Sequence, residues 1–463
     1  MIRKFVNRER ELDFLDRKYK DAGLQVIVIY GRRRVGKTEL IKEFIKGKNS
    51  IYFLADKRGT EKNIERFVNL VQERLNLPPL KIGSFEDAFK IIVEKVKGER
   101  FIVVIDEFSY LIEKDTALSS VFQLIIDEIL RNSNLFLILC GSSIGMMEKG
   151  VLSYKSPLYG RRTGQIKLTP MRFKDLKKFF PRYSIKELIE TYSVLGGIPA
   201  YLSLFDPAKR LDDNIQKTFC VKEHLFYEEP EIILKEELRE PKVYFNLLEA
   251  IAIGKTKLTD IANKAGINAK DASSYINSLI ELDLVERTYL ITEKKPRTKK
   301  TIYFIKDNFF TFWFKFILEN KEKIERGEAE VLLKKIKGEF SRYVSKTFEK
   351  VSIEFLWAEK IFPFTKIGKW WGTYRDKETG ERKSVEIDIV ALNEETKEIL
   401  FGECKWQDKV DGEKILQTLK EKSEFVDWNK NKRKEQYAIF AKSFRKRAKK
   451  CYCFDLKDIY KSL

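Results

Sequence analysis

The chain has 463 residues, 43% of them hydrophobic, which is enough for roughly two to four globular domains and excludes a disordered chain. Its 90 lysine and arginine residues exceed its 70 aspartate and glutamate residues, giving a net charge of +20. This excess favours an anionic partner such as nucleic acid, although a surface rich in lysine and glutamate explains it equally well.

Cysteine usage and the absence of long apolar runs indicate a reduced, cytoplasmic protein without a membrane partner. The five cysteines form no CxxC pair, and the single histidine, His224, cannot complete a zinc site with them. The amino terminus becomes charged at residues 7–10, before any apolar signal region forms. No stretch of the sequence reaches the roughly 18 apolar residues of a membrane span.

The first part of the chain alternates short apolar runs with segments of helical spacing. The apolar runs are Val26–Tyr30, Ile51–Ala55, Phe101–Ile105, Leu135–Leu139 and Gln165–Leu168. Such alternation is typical of a parallel sheet whose strands are joined by crossover helices. We therefore predict an α/β fold with a parallel sheet in this part of the chain.

A phosphate-binding motif directly follows the first apolar run. It reads Gly31-Arg32-Arg33-Arg34-Val35-Gly36-Lys37-Thr38, with four residues between the glycines and then Lys and Thr. An apolar run before it and helical spacing after it, from Glu39 onward, distinguish this motif from an ordinary Gly-rich turn. Residues 31–39 are thus predicted to bind a nucleoside triphosphate.

The residue types of this motif each have a chemical role. Gly31 and Gly36 let backbone N–H groups approach phosphate oxygens without a Cβ in the way. Lys37 is predicted to contact the β- and γ-phosphates, and Thr38 to offer its hydroxyl to Mg²⁺.

Further carboxylates and hydroxyls are predicted at the carboxyl edge of the same sheet. Asp106 and Glu107 end a buried strand, where an Mg²⁺ ligand and a water-activating base belong in such a site. The alternative is a pair of acidic residues that only cap the strand. Ser142 or Ser143, after the Leu135–Leu139 run, is either a γ-phosphate sensor or a simple turn serine.

Segments of the first half resemble archaeal P-loop ATPases of the AAA+/STAND-like class. They are Phe5–Leu12, Gly31–Thr38, Ile105–Glu107, Leu158–Arg162 and a lid segment, Leu195–Tyr201. The resemblance implies that ATP is the nucleotide and that Phe5, Val6 and Arg8 approach its base. It also implies that Arg161 and Arg162 are arginine fingers, which often act between subunits of a homo-oligomer, unless they form only a surface basic pair.

A winged helix-turn-helix is predicted near the middle of the chain. Leu258–Leu282 has the spacing of two short helices joined by a Gly turn. Leu284–Leu290 and Thr301–Phe304 follow as wing strands, joined by a basic tip at Glu293–Lys300 that suits DNA phosphates. The second helix carries little positive charge after Lys270. The unit is therefore either a site that binds double-stranded DNA or a protein–protein joint.

An aromatic segment follows the predicted wing. Its members are Phe309, Phe310, Phe312, Trp313, Phe314 and Phe316. Their helical spacing favours packing in a hydrophobic core over stacking on nucleic-acid bases.

Two strand-like runs in the last third carry a second group of charged residues. Asp388 lies on the alternating run Ser384–Ala391, and Glu403 and Lys405 lie on Ile399–Trp406. Positions two apart on a strand share a face, and hairpin pairing brings Asp388 beside Glu403 and Lys405. Two carboxylates suit Mg²⁺, and a lysine suits orientation or deprotonation of a water that attacks a phosphodiester.

This arrangement resembles the PD-(D/E)xK restriction-endonuclease-like fold, and the resemblance implies a further acidic residue, Glu349, on the preceding helix. Ile387 stands where that motif has its proline. The resemblance makes Glu349, Asp388, Glu403 and Lys405 catalytic, with Asp388 and Glu403 as metal ligands. The alternative is a salt-bridged strand pair in an inactive fold.

The predicted domains are a P-loop ATPase core at 1–175, a helical lid at 176–240, a winged helix-turn-helix with the aromatic helix at 241–326, and a restriction-endonuclease-like α/β domain at 327–463. We expect ATP binding and hydrolysis coupled to DNA binding, with Mg²⁺-dependent DNA cleavage if the last domain is active. Two alternatives stay open. One is an ATPase switch with an inactive nuclease fold, and the other is a nucleotide-controlled protein scaffold.

Overall fold

The computed structural model describes residues 5–79, 83–293, 300–375 and 380–462. The chain divides into two compact units, Met1–Pro170 with Ile198–Ala200, and Met171–Gly197 with Tyr201–Leu463. The further boundaries predicted from the sequence lie inside the second unit, and they stay predictions. Within the described residues, no helix is both long enough and apolar enough to cross a bilayer.

Five strands form the central sheet of the first unit. They are β1 (Gln25–Tyr30), β2 (Ser50–Leu54), β3 (Phe101–Asp106), β4 (Leu135–Gly141) and β5 (Gly164–Lys167). All neighbours are parallel, in the order β2-β3-β4-β1-β5. β1, β3 and β4 are buried along their whole length, as expected for central strands of a parallel sheet. The predicted parallel sheet is confirmed, and the carboxyl ends of these three strands meet at one edge.

Helices of the first unit pack against this sheet. They are α1 (Glu9–Lys20), α2 (Lys37–Ile45), α3 (Thr60–Arg74), α4 (Phe85–Val96), α5 (Phe108–Lys114), α6 (Leu118–Leu124) and α7 (Ile144–Met147), with π-helical turns at Ile125–Leu130 and Glu148–Leu152. Phe67 and Phe89 lie in the core beside β2 and β3, and both belong to a chain of aromatic contacts that reaches Phe122. This packing fixes the strands whose ends carry the predicted site.

The chain after residue 170 begins with mostly helical structure. Its helices are α8 (Leu176–Phe179), α9 (Ile185–Leu195), α10 (Pro199–Leu202), α11 (Leu211–Phe219), α12 (Glu229–Glu237), α13 (Pro241–Ala252), α14 (Leu258–Ala265), α15 (Ala269–Glu281), α16 (Asn308–Phe312), α17 (Lys321–Glu325), α18 (Ala329–Glu359), α19 (Gly412–Ser423) and α20 (Leu456–Lys461). Short 3₁₀ turns lie at Phe173–Asp175, Leu225–Tyr227 and Leu318–Asn320.

The predicted winged helix-turn-helix is present in the second unit. Gly266 directly follows α14, and its φ of +73° makes the turn into α15. β6 (Val285–Thr288) and β7 (Ile302–Ile305) then form an antiparallel pair. Residues 294–299 of the predicted basic tip lie outside the described residues.

The aromatic segment lies in the core, as its spacing predicted. Each of its six rings is at most 1% exposed. The segment runs from α16 into a π-helical turn at Trp313–Ile317, and the Trp313 indole donates to the Tyr227 carbonyl at 3.1 Å. These rings therefore stabilise the second unit and are not accessible for stacking on bases.

A mixed sheet forms the carboxyl-terminal part of the second unit. Its strands, with a separate short pair, are β8 (Lys366–Arg375), β9 (Arg382–Asn393), β10 (Glu398–Lys405), β11 (Val410–Asp411), β12 (Lys434–Ala441), β13 (Phe444–Lys446) and β14 (Tyr452–Phe454). The sheet order is β14-β12-β10-β9-β8, with β8, β9 and β10 antiparallel and β10, β12 and β14 parallel. β11 pairs with β13. The predicted hairpin between the two charged strands is thus β9–β10.

Candidate active sites

The phosphate loop joins β1 to α2 and has a backbone that requires its glycines. Gly36 has a φ of +93° and precedes α2, and Gly31 has a φ of +150°. A Cβ at Gly31 would collide with the carbonyl oxygen of Leu168. Lys37 is 6% exposed, and its Nζ donates to the carbonyls of Gly31 and Arg32, at 2.9 Å each. The ammonium group is therefore held within the loop itself.

Asp106 is a buried carboxylate at the end of β3, and it accepts hydrogen bonds from two hydroxyls. Thr38 Oγ1 donates to its Oδ2 at 2.8 Å, and the Tyr52 hydroxyl donates to the same oxygen at 2.5 Å. Its Oδ1 accepts the Glu107 N–H at 2.9 Å. Burial, together with the Asp106 charge, raises the pKa of Tyr52, so the phenol stays protonated and remains a donor.

The residues around Asp106 fit a magnesium ion. Thr38 and Asp106 provide the hard oxygen donors that Mg²⁺ prefers, and Thr38 directly follows the lysine of the phosphate loop. When bound with a triphosphate, the ion would neutralise phosphate charge.

Glu107 directly precedes α5 and has a left-handed backbone, at a φ of +55°. Its Oε2 accepts the Ser142 hydroxyl at 2.7 Å and the Ser142 N–H at 3.2 Å. Ser142 is 2% exposed and directly follows β4, whereas Ser143 begins α7. Strained backbone of this kind commonly occurs where a functional side chain must be fixed. Ser142 therefore orients the predicted base.

The amino-terminal segment contacts the phosphate loop through Arg8. This residue is 7% exposed, and its guanidinium donates to the carbonyls of Val35 and Thr169, at 3.2 and 2.6 Å. Phe5 and Val6 are half-buried. Arg8 thus supports the loop from outside, and the base-binding role of Phe5, Val6 and Arg8 stays a prediction.

The two predicted arginine fingers have different surroundings. Arg161 forms a bidentate ion pair with Asp127, at 2.7 to 3.0 Å, and donates to the Pro157 carbonyl at 2.8 Å. Arg162 lies over the Tyr159 ring, 5.4 Å from its centroid. Within its own chain Arg161 therefore holds the turn before β5, and action on a neighbouring subunit would first require its bonds to Asp127 to break. Both finger roles stay predictions.

An arginine of the loop makes a contact that the sequence did not indicate. Arg33 donates from its guanidinium to the Tyr110 hydroxyl at 2.8 Å. Tyr110 lies on the first turn of α5, where its N–H bonds to the Glu107 carbonyl at 2.9 Å. One side-chain hydrogen bond thus joins the phosphate loop to the helix that carries the predicted base.

The solvent face of α15 is the face that a winged helix presents to a DNA groove. Its exposed polar residues are Lys270, Asp271, Ser274, Asn277 and Glu281. The acidic residues outnumber the lysine on this face, and Arg287 of β6 bonds to Asn277. This face of α15 therefore offers polar groups for base contacts but little positive charge for phosphates.

β9 and β10 bring the predicted carboxyl-terminal group together. Ile389 pairs with Gly402 across the two strands, and the Cys404 N–H donates to Asp388 Oδ2 at 2.9 Å. Lys405 Nζ donates to Glu403 Oε1 at 2.7 Å. The geometry expected from the hairpin is present, and the catalytic roles of these residues stay predictions.

Two lysines that the sequence did not single out lie in the same cluster. Lys422 of α19 donates to both carboxylate oxygens of Glu403, at 2.9 and 3.0 Å. Lys369 of β8 pairs with Glu349 of α18. Glu403 is therefore bonded to two ammonium groups, and a metal held by both Asp388 and Glu403 would have to displace Lys422. Across the described ranges, no three Asp, Glu, His or Cys side chains lie close enough to hold a metal ion.

Titration of this cluster follows from its burial. Burial, reinforced by the charges of Glu403 and Glu349, raises the pKa of Asp388 to about 7. Burial also raises the pKa of Glu349, although Lys369 opposes this shift. Burial lowers the pKa of Lys405, but its bond to Glu403 outweighs that effect and raises it. Lys405 is thus an ammonium at neutral pH, which suits orientation of a water or phosphate better than removal of a proton.

Comparisons with known families agree with the observed architecture. Residues 5–205 match a family model described as an ATPase domain predominantly from Archaea. Residues 240–307 match a winged helix-turn-helix model. Residues 313–415 match a model of archaeal and bacterial proteins of unknown function.

Individual proteins are also similar to this chain. An uncharacterized protein of Methanocaldococcus jannaschii is 38% identical over 98% of this chain and 99% of its own length. An uncharacterized ATP-binding protein of that organism is 57% identical over 44 residues, which are 10% of this chain and 75% of that protein. A Walker-type ATPase of Pyrococcus abyssi has a TM-score of 0.51 and 22% identity, covering 67% of this chain and 96% of its own. The predicted P-loop ATPase fold and winged helix are confirmed, and the nuclease-like resemblance is not.

Proposed function

We propose that this chain, which belongs to the same family as its Methanocaldococcus jannaschii relative, couples Mg²⁺-dependent ATP hydrolysis to DNA binding. Its archaeal ATPase domain would hydrolyse ATP, and its winged helix-turn-helix would contact DNA. The observation that carries the proposal is the group formed by Lys37, Thr38 and Asp106 at the end of the central strands. A phosphate loop with a buried lysine and a hydroxyl–carboxylate pair has the chemistry that a magnesium nucleotide requires.

The residues of this site divide the work of hydrolysis. Lys37 binds the terminal phosphates, and Thr38 and Asp106 would hold Mg²⁺. Glu107 accepts a proton from the attacking water, while Ser142 keeps the Glu107 carboxylate in position. A positioned base of this kind contributes about 10²- to 10⁴-fold to a rate.

DNA is the proposed partner because three properties of the chain favour it. The net charge is +20, the second unit contains a winged helix-turn-helix, and α15 presents Ser274 and Asn277 to solvent. Small polar side chains on such a helix are suited to base edges in the major groove. The weak charge of that face implies that other surfaces supply most of the phosphate contacts.

A gel-shift titration with duplex DNA tests the coupling. We expect the affinity to differ by about tenfold or more between a non-hydrolysable ATP analogue and ADP, which corresponds to a coupling energy of about 1.4 kcal/mol. Binding should also weaken steeply with salt. The Lys37→Ala variant should lose the nucleotide dependence but retain basal binding. Equal affinity in both nucleotide states would contradict the coupling, and no shift at low salt would favour a protein partner.

A second function, phosphodiester cleavage, is favoured by the convergence of Asp388, Glu403 and Lys405 on β9 and β10. Two carboxylates and an ammonium group on adjacent strands are suited to holding a water and a scissile phosphate. The raised pKa of Asp388 is typical of groups kept for chemistry at a cost in stability. Glu403 accepts hydrogen bonds from both Lys422 and Lys405, and these bonds must rearrange before the carboxylate can bind a metal.

A further inference from the structure

A basic cleft of about 450 Å³ lies in the second unit, between α8, the amino-terminal end of α9, and α20. Its charged and aromatic lining residues are Lys177, Arg182, Glu187, Lys457, Tyr460 and Lys461. α20 packs against α9, so residues from distant parts of the chain form the two walls. These residues lie outside the phosphate loop, the winged helix-turn-helix and the carboxyl-terminal cluster.

The positive charge of this cleft is not neutralised by protein carboxylates. Among the described residues, none forms an ion pair with Lys177, Arg182, Lys457 or Lys461. The single acidic lining residue, Glu187, instead accepts the Ser184 N–H at 2.9 Å and hydroxyl at 2.7 Å as part of a capping box. The four cations come from α8, from the segment before α9 and from α20, and they lie around one cleft.

The cleft also has an exposed aromatic side. Tyr460 is 45% exposed, and Lys177 Nζ lies 4.9 Å from the centroid of its ring. Lys177 also donates to the Tyr183 carbonyl at 3.4 Å, which holds the ammonium at the wall of the cleft. An anion with several charges and an adjacent flat or sugar-like group fits this combination of cations and a tyrosine.

We propose that this cleft binds the phosphodiester backbone of a nucleic acid. The inference rests on the proposed DNA partner and names the surface that supplies phosphate contacts. The weakly charged face of α15 cannot provide them, and each cation that displaces a counterion from a phosphate adds to the affinity and to its salt dependence. Duplex and single-stranded DNA share this backbone, and the test distinguishes them.

The test compares the full chain with an Arg182→Glu, Lys457→Glu, Lys461→Glu variant. Fluorescence anisotropy with a labelled duplex, and with one strand of it, is measured over a salt series. The matched control, Lys222→Glu, Lys334→Glu, Lys432→Glu, makes the same charge change at exposed positions outside the cleft. We expect the cleft variant to bind roughly tenfold or more weakly than the control, with the salt slope reduced by about two to three.

Each outcome of this comparison is informative. A larger loss for one of the two DNA forms identifies the bound form. Equal losses in the cleft variant and in the control overturn the cleft, and leave the proposed DNA partner in place. Absence of any binding by the unmodified chain instead overturns that partner. ATP hydrolysis and the melting temperature are measured for all three proteins. Both should be unchanged if the substitutions, which are at exposed positions, leave the fold intact.

A second inference comes from Arg33 and rests on the proposed ATP hydrolysis. The guanidinium lies in the phosphate loop, two residues after Gly31, and is bonded to Tyr110 one helical turn after Glu107. A second cation, Lys57, lies over the Tyr110 ring, with its Nζ 4.9 Å from the ring centroid. We infer that Arg33 supplies, within one chain, the positive charge that stabilises the transferring phosphoryl group, the role predicted for Arg161 or Arg162.

Kinetics separate this role from simple phosphate binding. Arg33→Ala should lower kcat by about 100-fold or more while the Kd for ATP changes only a few-fold. Tyr110→Phe should show a smaller loss, and Arg17→Ala, at an exposed position of α1, should show none. The activity per chain should not depend on protein concentration, because the charge comes from the same chain. A rise in Kd with unchanged kcat, or activity that appears only on oligomerisation, would overturn the inference.

Discussion

Lys37→Ala should weaken ATP binding by about 100-fold or more, whereas Glu107→Gln should bind ATP normally and turn it over about 100-fold or more slowly. Lys37 is a buried cation whose removal leaves phosphate charge unpaired, and such truncations cost about 2 to 5 kcal/mol. Glutamine keeps the hydrogen bond with Ser142 but cannot accept the proton of the attacking water. Titration with a fluorescent ATP analogue gives the Kd, and phosphate release gives kcat.

Two variants at exposed positions serve as matched controls for this experiment. Lys46→Ala changes an exposed lysine just after α2, and Glu113→Gln changes an exposed residue on the helix that Glu107 begins. Both should retain normal binding and turnover. Normal turnover by Glu107→Gln would show that another group activates the water, and unchanged ATP affinity in Lys37→Ala would contradict the assignment of the loop.

Plasmid nicking in Mg²⁺ or Mn²⁺ should fall by about 100-fold or more in both Asp388→Asn and Lys405→Ala, if the carboxyl-terminal cluster cleaves DNA. Asp388→Asn removes a carboxylate from the cluster. Lys405→Ala removes the ammonium group that donates a hydrogen bond to Glu403. Conversion of supercoiled to open-circle plasmid, with and without ATP, measures the effect. Unaltered nicking by both variants would assign the activity to a contaminant or to another site.

Measurements of stability show whether these variants are folded. Because the pKa of Asp388 is raised to about 7, its ionisation disfavours the fold, and the stability of the unmodified chain should fall as the pH rises from about 4 to 7. Asp388→Asn lacks this cost, so its melting temperature at pH 8 should not be lower than that of the unmodified chain. Asp427→Asn and Lys414→Ala, at exposed positions, should retain both stability and nicking.

Several parts of this molecule could be predicted from local pattern. The motif at 31–38 specified the phosphate loop, because only glycine permits the backbone found at Gly31 and Gly36. Continuous apolar runs separated by helical segments specified the parallel sheet, because its central strands are buried on both faces. The two-residue repeat of side chains along a strand specified the β9–β10 hairpin. The helical spacing of the aromatic segment predicted that it packs in the core, and its rings are buried.

Partners from distant segments could not be predicted in this way. Tyr52 bonds to Asp106 because β2 lies beside β3, and Ser142 bonds to Glu107 because β4 lies on the other side of β3. Arg161 had the sequence position of a finger, but its contact with Asp127 depends on how the chain folds back. The contact of Lys422 with Glu403 likewise depends on the packing of α19.

The sequence alone thus determined the chemistry of the phosphate site, because that chemistry requires particular residue types within one strand–loop–helix segment. Tertiary structure alone decided which side chains orient the two carboxylates at the end of β3, which lysines neutralise Glu403, and which unpaired cations meet around one cleft. The physical reason is that strand order and helix packing bring together residues far apart in the chain, and no local periodicity records those neighbours.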